Sequence, residues 1–257
     1  MRAIRLEGAS AGADDIKGRV LVHDLGGILR KGTILGPEHL EVVRRAKEVH
    51  LVELEAADVH EDAAASRLAA ALAGPGLIPK SPVQSQVRIV AAHRGLVRVR
   101  AAAIDAINSL GLISVFTVMD GQAVNEGEEV AGCKVTPVAV PGSLVERAER
   151  LSRERNPVVE LLPFRRLKTF VVVTERLKPK ARDLFLDAVS AKLGWYGADL
   201  IGVREVSRSN EAVAGAYRDA AGAGAELVLF AGASSIDPLD PAYAELTGAG
   251  GELLQLG

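Results

Sequence analysis

The sequence predicts an α/β protein whose C-terminal part forms a mainly parallel sheet. Strand-like and helix-like segments alternate regularly after about residue 155, and parallel strands need such covering crossovers. The strand-like segments there are almost continuously apolar, as in sheets that are buried on both faces. Aromatic residues make up only 4% of the chain, so we expect a finely packed aliphatic core.

The main domain boundary is predicted at about residue 155, because Asn156 and Pro157 break a charged helix there. Residues 156–257 are expected to form a three-layer α/β domain. Its predicted strands cover residues 169–173, 200–206 and 226–230, and its predicted helices cover residues 181–193 and 210–221.

The N-terminal region, residues 1–155, is predicted to be a mixed α+β region rich in short strands. We expect two subdomains, at roughly residues 1–82 and 83–155. A capping pattern that starts at Asp58 predicts a helix over residues 61–73. Arg94 and Gly95, between two alternating apolar runs, predict a β-hairpin over residues 86–99.

Composition and charge exclude several classes of protein. The formal net charge of −2 gives no global positive field for nucleic acid or an anionic membrane. Cys133 is the single cysteine, which excludes an intramolecular disulfide. No apolar run approaches the roughly 18 residues of a spanning helix, and no apolar signal region follows Met1. We therefore expect a cytoplasmic protein with neither nucleic-acid nor membrane partners.

Common catalytic motifs are missing from the sequence. His60 and Glu61 suggest a metalloprotease, but Ala64 stands where the second histidine of that motif would fall. The glycines around Gly248 lack the spacing of a dinucleotide fingerprint, and no phosphate-binding Gly-x-x-x-x-Gly-Lys loop occurs. We expect Cys133 to be buried rather than reactive.

Two loops follow predicted strands of the C-terminal sheet, at residues 174–183 and 231–240. Ligands of such sheets bind outside the carboxyl ends of the strands. In the second loop, Gly232 allows close approach of the backbone to a ligand, and Ser234 offers a hydroxyl. Asp237 and Asp240 can hold a hard cation through their oxygens.

The order of these segments resembles the molybdopterin-binding domain of molybdenum-cofactor biosynthesis proteins. The matching segments are Val171-Val-Val-Thr-Glu175, Arg182-Asp-Leu-Phe185, Tyr196-Gly-Ala198 and the stretch from Phe230 to Pro241. Residues 18–24, 29–32, 60–64 and 130–137 are similar to a subgroup with extra N-terminal domains. The resemblance covers most of the chain.

The resemblance implies a phosphorylated pterin as ligand, and either its adenylylation or the insertion of molybdate, with Mg²⁺ where a nucleotide is handled. A homo-oligomer is also implied. Glu175 or Asp183 would orient the pterin amide edge, and the serine loop would take phosphate. The expected cofactor-binding residues are Thr174, Glu175, Ser207, Arg208, Gly232, Ala233, Ser234 and Ser235. The expected catalytic residues are Asp183, Asp237 and Asp240, of which Asp237 and Asp240 would hold the metal.

The sequence departs from the family pattern at three places. Ala231 replaces the first glycine of the last loop, and Ser207-Arg208-Ser209 stands where an acidic turn is common. The chain stops at Gly257, so either the sequence is a fragment or another element completes the site. These departures leave two alternatives to an enzyme of this family. One is a non-catalytic pterin or anion sensor or partner-binding protein, and the other acts on a different phosphorylated small molecule.

Basic residues are concentrated between residues 143 and 183, although the whole chain is slightly acidic. Pairs such as Glu146 with Arg150 explain those in the helix. The other basic residues flank the first strand of the C-terminal domain. We expect them to raise the local concentration of anions near the mouth of that domain. These residues are Arg165, Arg166, Lys168, Lys178 and Lys180.

Overall fold

The computed structural model describes residues 1–155, 157–232, 247–248, 251–252 and 254. The chain contains both helices and strands and divides into two compact units, Met1–Pro163 and Phe164–Gly257. The division falls after the predicted boundary at residue 155. The reason is a strand at Val159–Pro163 that pairs with Gly95–Val99 and so belongs to the N-terminal unit.

The described residues of the N-terminal unit form five α-helices and twelve strands. The helices are α1 Ala13–Ile16, α2 Leu40–Arg44, α3 Glu61–Leu72, α4 Ala101–Asn108 and α5 Gly142–Glu154. The strands are β1 Arg2–Glu7, β2 Val20–Leu21, β3 Glu48–Glu53, β4 Asp58–His60, β5 Leu77–Pro79, β6 Gln86–Ala91, β7 Gly95–Val99, β8 Ile113–Thr117, β9 Ala123–Val124, β10 Glu129–Val135, β11 Ala139–Pro141 and β12 Val159–Pro163.

These strands form four small antiparallel sheets, with the orders β1-β3-β2, β5-β6-β10-β8, β11-β4 and β12-β7-β9. The predicted hairpin over residues 86–99 is wrong, because β6 and β7 lie in different sheets. Gly95 explains part of this pairing, since a Cβ there would overlap the carbonyl oxygen of Leu162 on β12. The close approach of β12 thus requires glycine at the start of β7.

The hydrophobic core of the N-terminal unit is centred on α3. This helix buries one face, formed by Ala64, Ala65, Leu68, Ala69 and Leu72, at the three- and four-residue spacing of a helix. It packs against α5, β6 and β10 in a cluster that extends to Leu161. A second cluster lies between residues 11 and 51. This cluster spans the expected subdomain boundary at residue 82, because α3 shares its core with the strands that follow that position.

The C-terminal unit begins with the regular alternation that the sequence predicts. Its described elements are β13 Lys168–Val173, α6 Pro179–Trp195, β14 Asp199–Glu205, α7 Asn210–Gly222 and β15 Leu227–Ala231. The sheet order is β14-β13-β15, and β13 pairs in parallel with both neighbours. All three strands therefore end at one edge of the sheet.

The central strand β13 is buried on both of its faces. Phe170 and Val172 form a cluster with Ala216 and Ala220 of α7, while Val171 is also buried on the alternate face. Pro179 occupies the first turn of α6, where its missing N–H leaves no bond unmade. A serine caps α7 and starts it at a defined position. The carboxyl ends of the strands are thereby held at fixed positions.

The longest described helix is α6, with 17 residues, and it carries several charged side chains. No helix within the described ranges is long and apolar enough to cross a membrane.

Candidate functional site

The exits of the three parallel strands are joined by hydrogen bonds. The backbone N–H of Thr174 donates to the carbonyl of Ala231 at 2.8 Å, and its hydroxyl donates to the carbonyl of Gly232 at 3.2 Å. On the other side, the N–H of Val206 donates to the carbonyl of Val173 at 2.9 Å. The residues that directly follow β13, β14 and β15 are therefore held side by side at the carboxyl edge.

Gly232 occupies a position where any side chain would be strained. Its φ of +122° lies in a region that L side chains rarely adopt. A Cβ there would stand 2.8 Å from Cγ of Glu175 and 2.9 Å from Oγ1 of Thr174. Gly232, the residue that follows β15, thus packs directly against Thr174 and Glu175 in the loop after β13.

A cavity of about 390 Å³ opens at this edge, between the loops after β13 and β14. We call it the edge cavity. Its wall combines two carboxylates, one guanidinium and two hydroxyls, so it offers both acceptors and donors to a ligand. The lining residues are Thr174, Glu175, Arg176, Glu205, Val206 and Ser207.

One of the two carboxylates in the wall already has a cationic partner. Nε of Arg182, on the first turns of α6, donates to Oε1 of Glu205 at the end of β14. Both side chains are substantially exposed, at 47% and 35%, so water competes for this pair. The pair links α6 to the strand end that forms one wall of the edge cavity.

Three residues expected at the site, Thr174, Glu175 and Ser207, line the edge cavity, and Gly232 packs against two of them. They come from loops that are more than thirty residues apart in the chain. Arg208 is exposed immediately after Ser207 and does not line the cavity. The hydroxyl of Thr174 is hydrogen-bonded to the backbone carbonyls of Ala231 and Gly232.

Asp183 does not line the edge cavity either. It lies on the exposed surface of α6, one turn inside the helix, because that helix begins at Pro179. Asp183 does not cap α6, since Lys178 is the N-cap and the first turn carries no acidic residue.

Five expected site residues lie outside the described residues, namely Ala233, Ser234, Ser235, Asp237 and Asp240. The phosphate and Mg²⁺ contacts expected of them therefore stay predictions. Within the described ranges, no group of three or more His, Cys, Asp or Glu side chains is arranged to hold a metal ion.

The sequence argument missed Arg176, Glu205 and Val206 as cavity residues. Arg176 lies in the loop over residues 174–183, and its place there is the signal that was available. Glu205 and Val206 fell within the predicted strand over residues 200–206, although β14 ends at Glu205. Because strand ends are set by tertiary contacts, sequence periodicity alone could not place Glu205 at the edge.

The basic residues that precede β13 lie at the opposite edge of the sheet from the cavity. Arg166 donates two hydrogen bonds to the carboxylate of Asp199, at 2.8 and 3.0 Å. This pairing holds the pKa of the Asp199 carboxyl below its usual value. The expectation that Arg165, Arg166 and Lys168 serve the cavity mouth is therefore wrong, because the amino end of a parallel strand faces away from its carboxyl edge.

The candidate reactive groups of the N-terminal unit are buried. Cys133 donates to the carbonyl of Ala65 at 3.3 Å, and burial raises the pKa of its thiol to about 12. Such a thiol carries almost no thiolate near neutral pH and is a poor nucleophile. Glu61 is also buried, and its Oε2 has no hydrogen-bond partner.

The comparisons with known proteins leave the site to be interpreted from its own geometry. No protein-family model and no curated protein matches this chain.

Proposed function

We propose that the chain binds molybdopterin or a related phosphorylated pterin at the edge cavity. One observation carries the proposal: Thr174, Glu175 and Ser207, expected on separate loops, line a single cavity at the carboxyl edge of a parallel sheet. Ligands of open parallel sheets bind at this edge. A volume of about 390 Å³ also lies in the size range of small-molecule sites.

The donor set of the edge cavity suits a ligand with an N–H edge and an anionic group. The carboxylate of Glu175 accepts hydrogen bonds only, as the amino and amide N–H groups of a pterin require. Arg176 and Ser207 donate, and an arginine fork matches the oxygens of a phosphate. These residues would hold the pterin, and the pterin would supply the dithiolene that carries molybdenum.

The sheet order also supports the proposal. β14 lies on one side of β13, and β15 lies on the other. The chain therefore runs from β13 to one side of the sheet and then crosses back to the other. With right-handed crossovers, α6 and α7 would cover opposite faces and complete a three-layer domain. Ligands of such sheets usually bind in the crevice at the reversal, which here lies between β13 and β15. Thr174 contacts Gly232 in that crevice and also lines the adjoining edge cavity.

Calorimetry with molybdopterin tests the proposal directly, and AMP or GMP with Mg²⁺ serve as more tractable probes. We expect saturable binding that Gly232→Ala weakens and that Gly194→Ala leaves unchanged. Gly194 is a matched control because it lies on α6 and an added Cβ there would meet no other atom within 4 Å. No binding by the folded wild-type protein would contradict the proposal.

A non-catalytic binding protein is the second candidate. The observation that favours it is the position of Asp183, which lies outside the edge cavity, together with Arg208 in place of an acidic turn. Binding of a nucleotide without turnover supports this candidate. Turnover that Asp237→Ala abolishes supports a transferase. A cytoplasmic homo-oligomer is part of the proposal in either case, and analytical ultracentrifugation tests the oligomer.

A further inference from the structure

A second cavity opens on the four-stranded sheet of the N-terminal unit, at the turn that leads into β6. Its volume is about 410 Å³, and we call it the turn cavity. The lining residues are Lys80, Ser81, Val83, Gln84, Gln86 and Arg88. None of these six residues carries a carboxylate.

The side chains around the turn cavity are mainly hydrogen-bond donors. An ammonium, a guanidinium, two primary amides and one hydroxyl face a single space, with one apolar wall at Val83. The edge cavity differs, because two carboxylates line it. A third cavity, beside β1, also differs, because Arg5 there pairs with Glu48. The composition of the turn cavity is therefore suited to an anion.

The positive charge of the turn cavity is only partly compensated. Nε of Arg88 lies 3.4 Å from Oε2 of Glu129, but the two side chains are 67% and 39% exposed, so this pair is weak. Lys80 forms no ion pair with any residue in the described part of the chain. Lys134 on β10 stands opposite Gln86 in the sheet register and adds a third cation nearby.

The backbone beside the turn cavity is strained. Gln84 and Ser85 have φ values of +50° and +64°, and they form a two-residue turn closed by Val83 and Gln86. Turns of this type normally use asparagine and glycine, because other residues adopt a positive φ at a cost. Strain of this kind persists only where the surroundings hold the backbone, and it concentrates at ligand sites.

Two contacts hold the strained turn in place. The carboxylate of Asp62, on α3, accepts a hydrogen bond from the N–H of Ser85 at 2.9 Å. The N–H of Val135, on β10, donates to the carbonyl of Ser85 at 3.0 Å. Ser85 itself is 1% exposed. The core of the unit thereby fixes the turn and presents the side chain of Gln84 at the cavity before any ligand arrives.

We infer that the turn cavity binds a small oxyanion, the phosphate or carboxylate group of a metabolite. Lys80 and Arg88 would supply the charge, and Gln84 would supply directed amide donors. Hydrogen bonds between charged groups and oxyanions are short and strong. A preformed turn reduces the ordering that binding requires. This site belongs to the N-terminal unit and does not depend on the proposed pterin site.

The test is a titration of the full chain with inorganic phosphate, followed by the ¹H–¹⁵N signals of residues 80–88 at constant ionic strength. We expect saturable shifts in that segment. The double variant Lys80→Gln with Arg88→Gln should weaken phosphate binding at least about tenfold. Lys47→Gln, in the cavity where Arg5 pairs with Glu48, is the matched control and should leave the affinity unchanged.

Gln84→Gly separates binding from folding. Glycine accepts the positive φ without strain, so the melting temperature should stay equal or rise while phosphate binding weakens. A parallel titration with acetate distinguishes the anionic groups, and saturation by phosphate, acetate or both supports the site. Equal shifts with chloride, no saturable shift, or an affinity unchanged in the double variant would each overturn the inference.

Discussion

The two units differ in how far apart in the sequence their paired strands lie. In the C-terminal unit β13 pairs with the next two strands of the chain, and helices supply the crossovers. In the N-terminal unit β6 pairs with β10, and β7 pairs with β12. The first arrangement leaves backbone ends aligned at an open edge with a polar cavity. The second encloses a large aliphatic core, so we expect mutations to act on ligand binding in one unit and on stability in the other.

The largest effect is expected in the core of the N-terminal unit. Leu68→Ala removes a side chain that is 1% exposed on α3, and it should cost about 2–5 kcal/mol of unfolding free energy. Hydrogen exchange would show lower protection in α3, β6 and β10. Leu184→Ala, at a side chain that is 62% exposed, is the control and should change stability by about 0.5 kcal/mol or less. Equal costs for the two variants would contradict the structure of this core.

Gly232→Ala should have the next largest effect, in the C-terminal unit. Its Cβ would meet Glu175 and Thr174 at 2.8 to 2.9 Å, on a backbone with φ of +122°. We expect a cost of about 1–3 kcal/mol and a loss of pterin binding. The single tryptophan, Trp195, lies on α6, so its fluorescence during denaturation reports this unit. Gly194→Ala, inside α6, should stabilise the protein by about 0.5–1 kcal/mol. A similar loss of stability in both variants would contradict the close packing around Gly232.

Glu61 predicts a pH dependence that belongs to the N-terminal unit alone. Its side chain is 2% exposed, and Lys31 Nζ lies 3.5 Å from its Oε2, longer than a normal hydrogen bond. Gly32, with φ of +82°, closes over the carboxyl, because a Cβ there would overlap Oε1. Burial raises the pKa of the Glu61 carboxyl, although Lys31 and His60 oppose the shift and Asp62 adds to it.

The Glu61 carboxyl holds its proton more tightly in the folded protein than in the unfolded chain. Protonation of Glu61 therefore favours the folded state. Stability is unaffected below the unfolded pKa, near 4.5. It falls as the pH rises towards the raised folded pKa, and it stays lower above that value. Glu61→Gln should remove this slope and stabilise the protein by about 1 kcal/mol near neutral pH. Thermal melts across this pH range measure it, and a wild-type slope retained in the variant would exclude Glu61 as its source.

The smallest stability effect is expected at the wall of the edge cavity. Arg182→Gln removes the partner of Glu205, but both side chains are more than a third exposed. The cost should be about 0.5 kcal/mol or less. The variant nevertheless loses a positive charge beside Glu205 at the cavity wall. Calorimetry should therefore show weaker binding of a phosphorylated pterin. Tighter binding in this variant would contradict a phosphate at that end of the cavity.

The same contrast explains how far the sequence could predict the structure. In the C-terminal unit, apolar runs and helical spacing located the five elements from β13 to β15 to within about two residues. Alternation of the two types then predicted parallel pairing. In the N-terminal unit, Gly95 indicated a turn, but its register partner Pro163 lies far away in the sequence. Pairing over such distances depends on packing that no local pattern records.

The candidate site was predictable where it depends on strand ends, and not where it depends on tertiary contacts. Thr174, Glu175 and Ser207 follow predicted strands, so the sheet-edge rule predicted their position. Glu205 was missed because β14 ends one residue before the predicted strand does. The strained turn at Gln84 and Ser85 was also missed, since it uses neither glycine nor asparagine and is held by Asp62 from a distant helix.

The most direct test of the account is a molybdopterin titration followed by backbone amide NMR of the full chain. The account predicts saturable shifts centred on the edge cavity, at Thr174, Glu175, Arg176, Val206 and Ser207, which Gly232→Ala reduces. A folded protein that shows no saturable shifts there, or shows them only elsewhere in the chain, would contradict it.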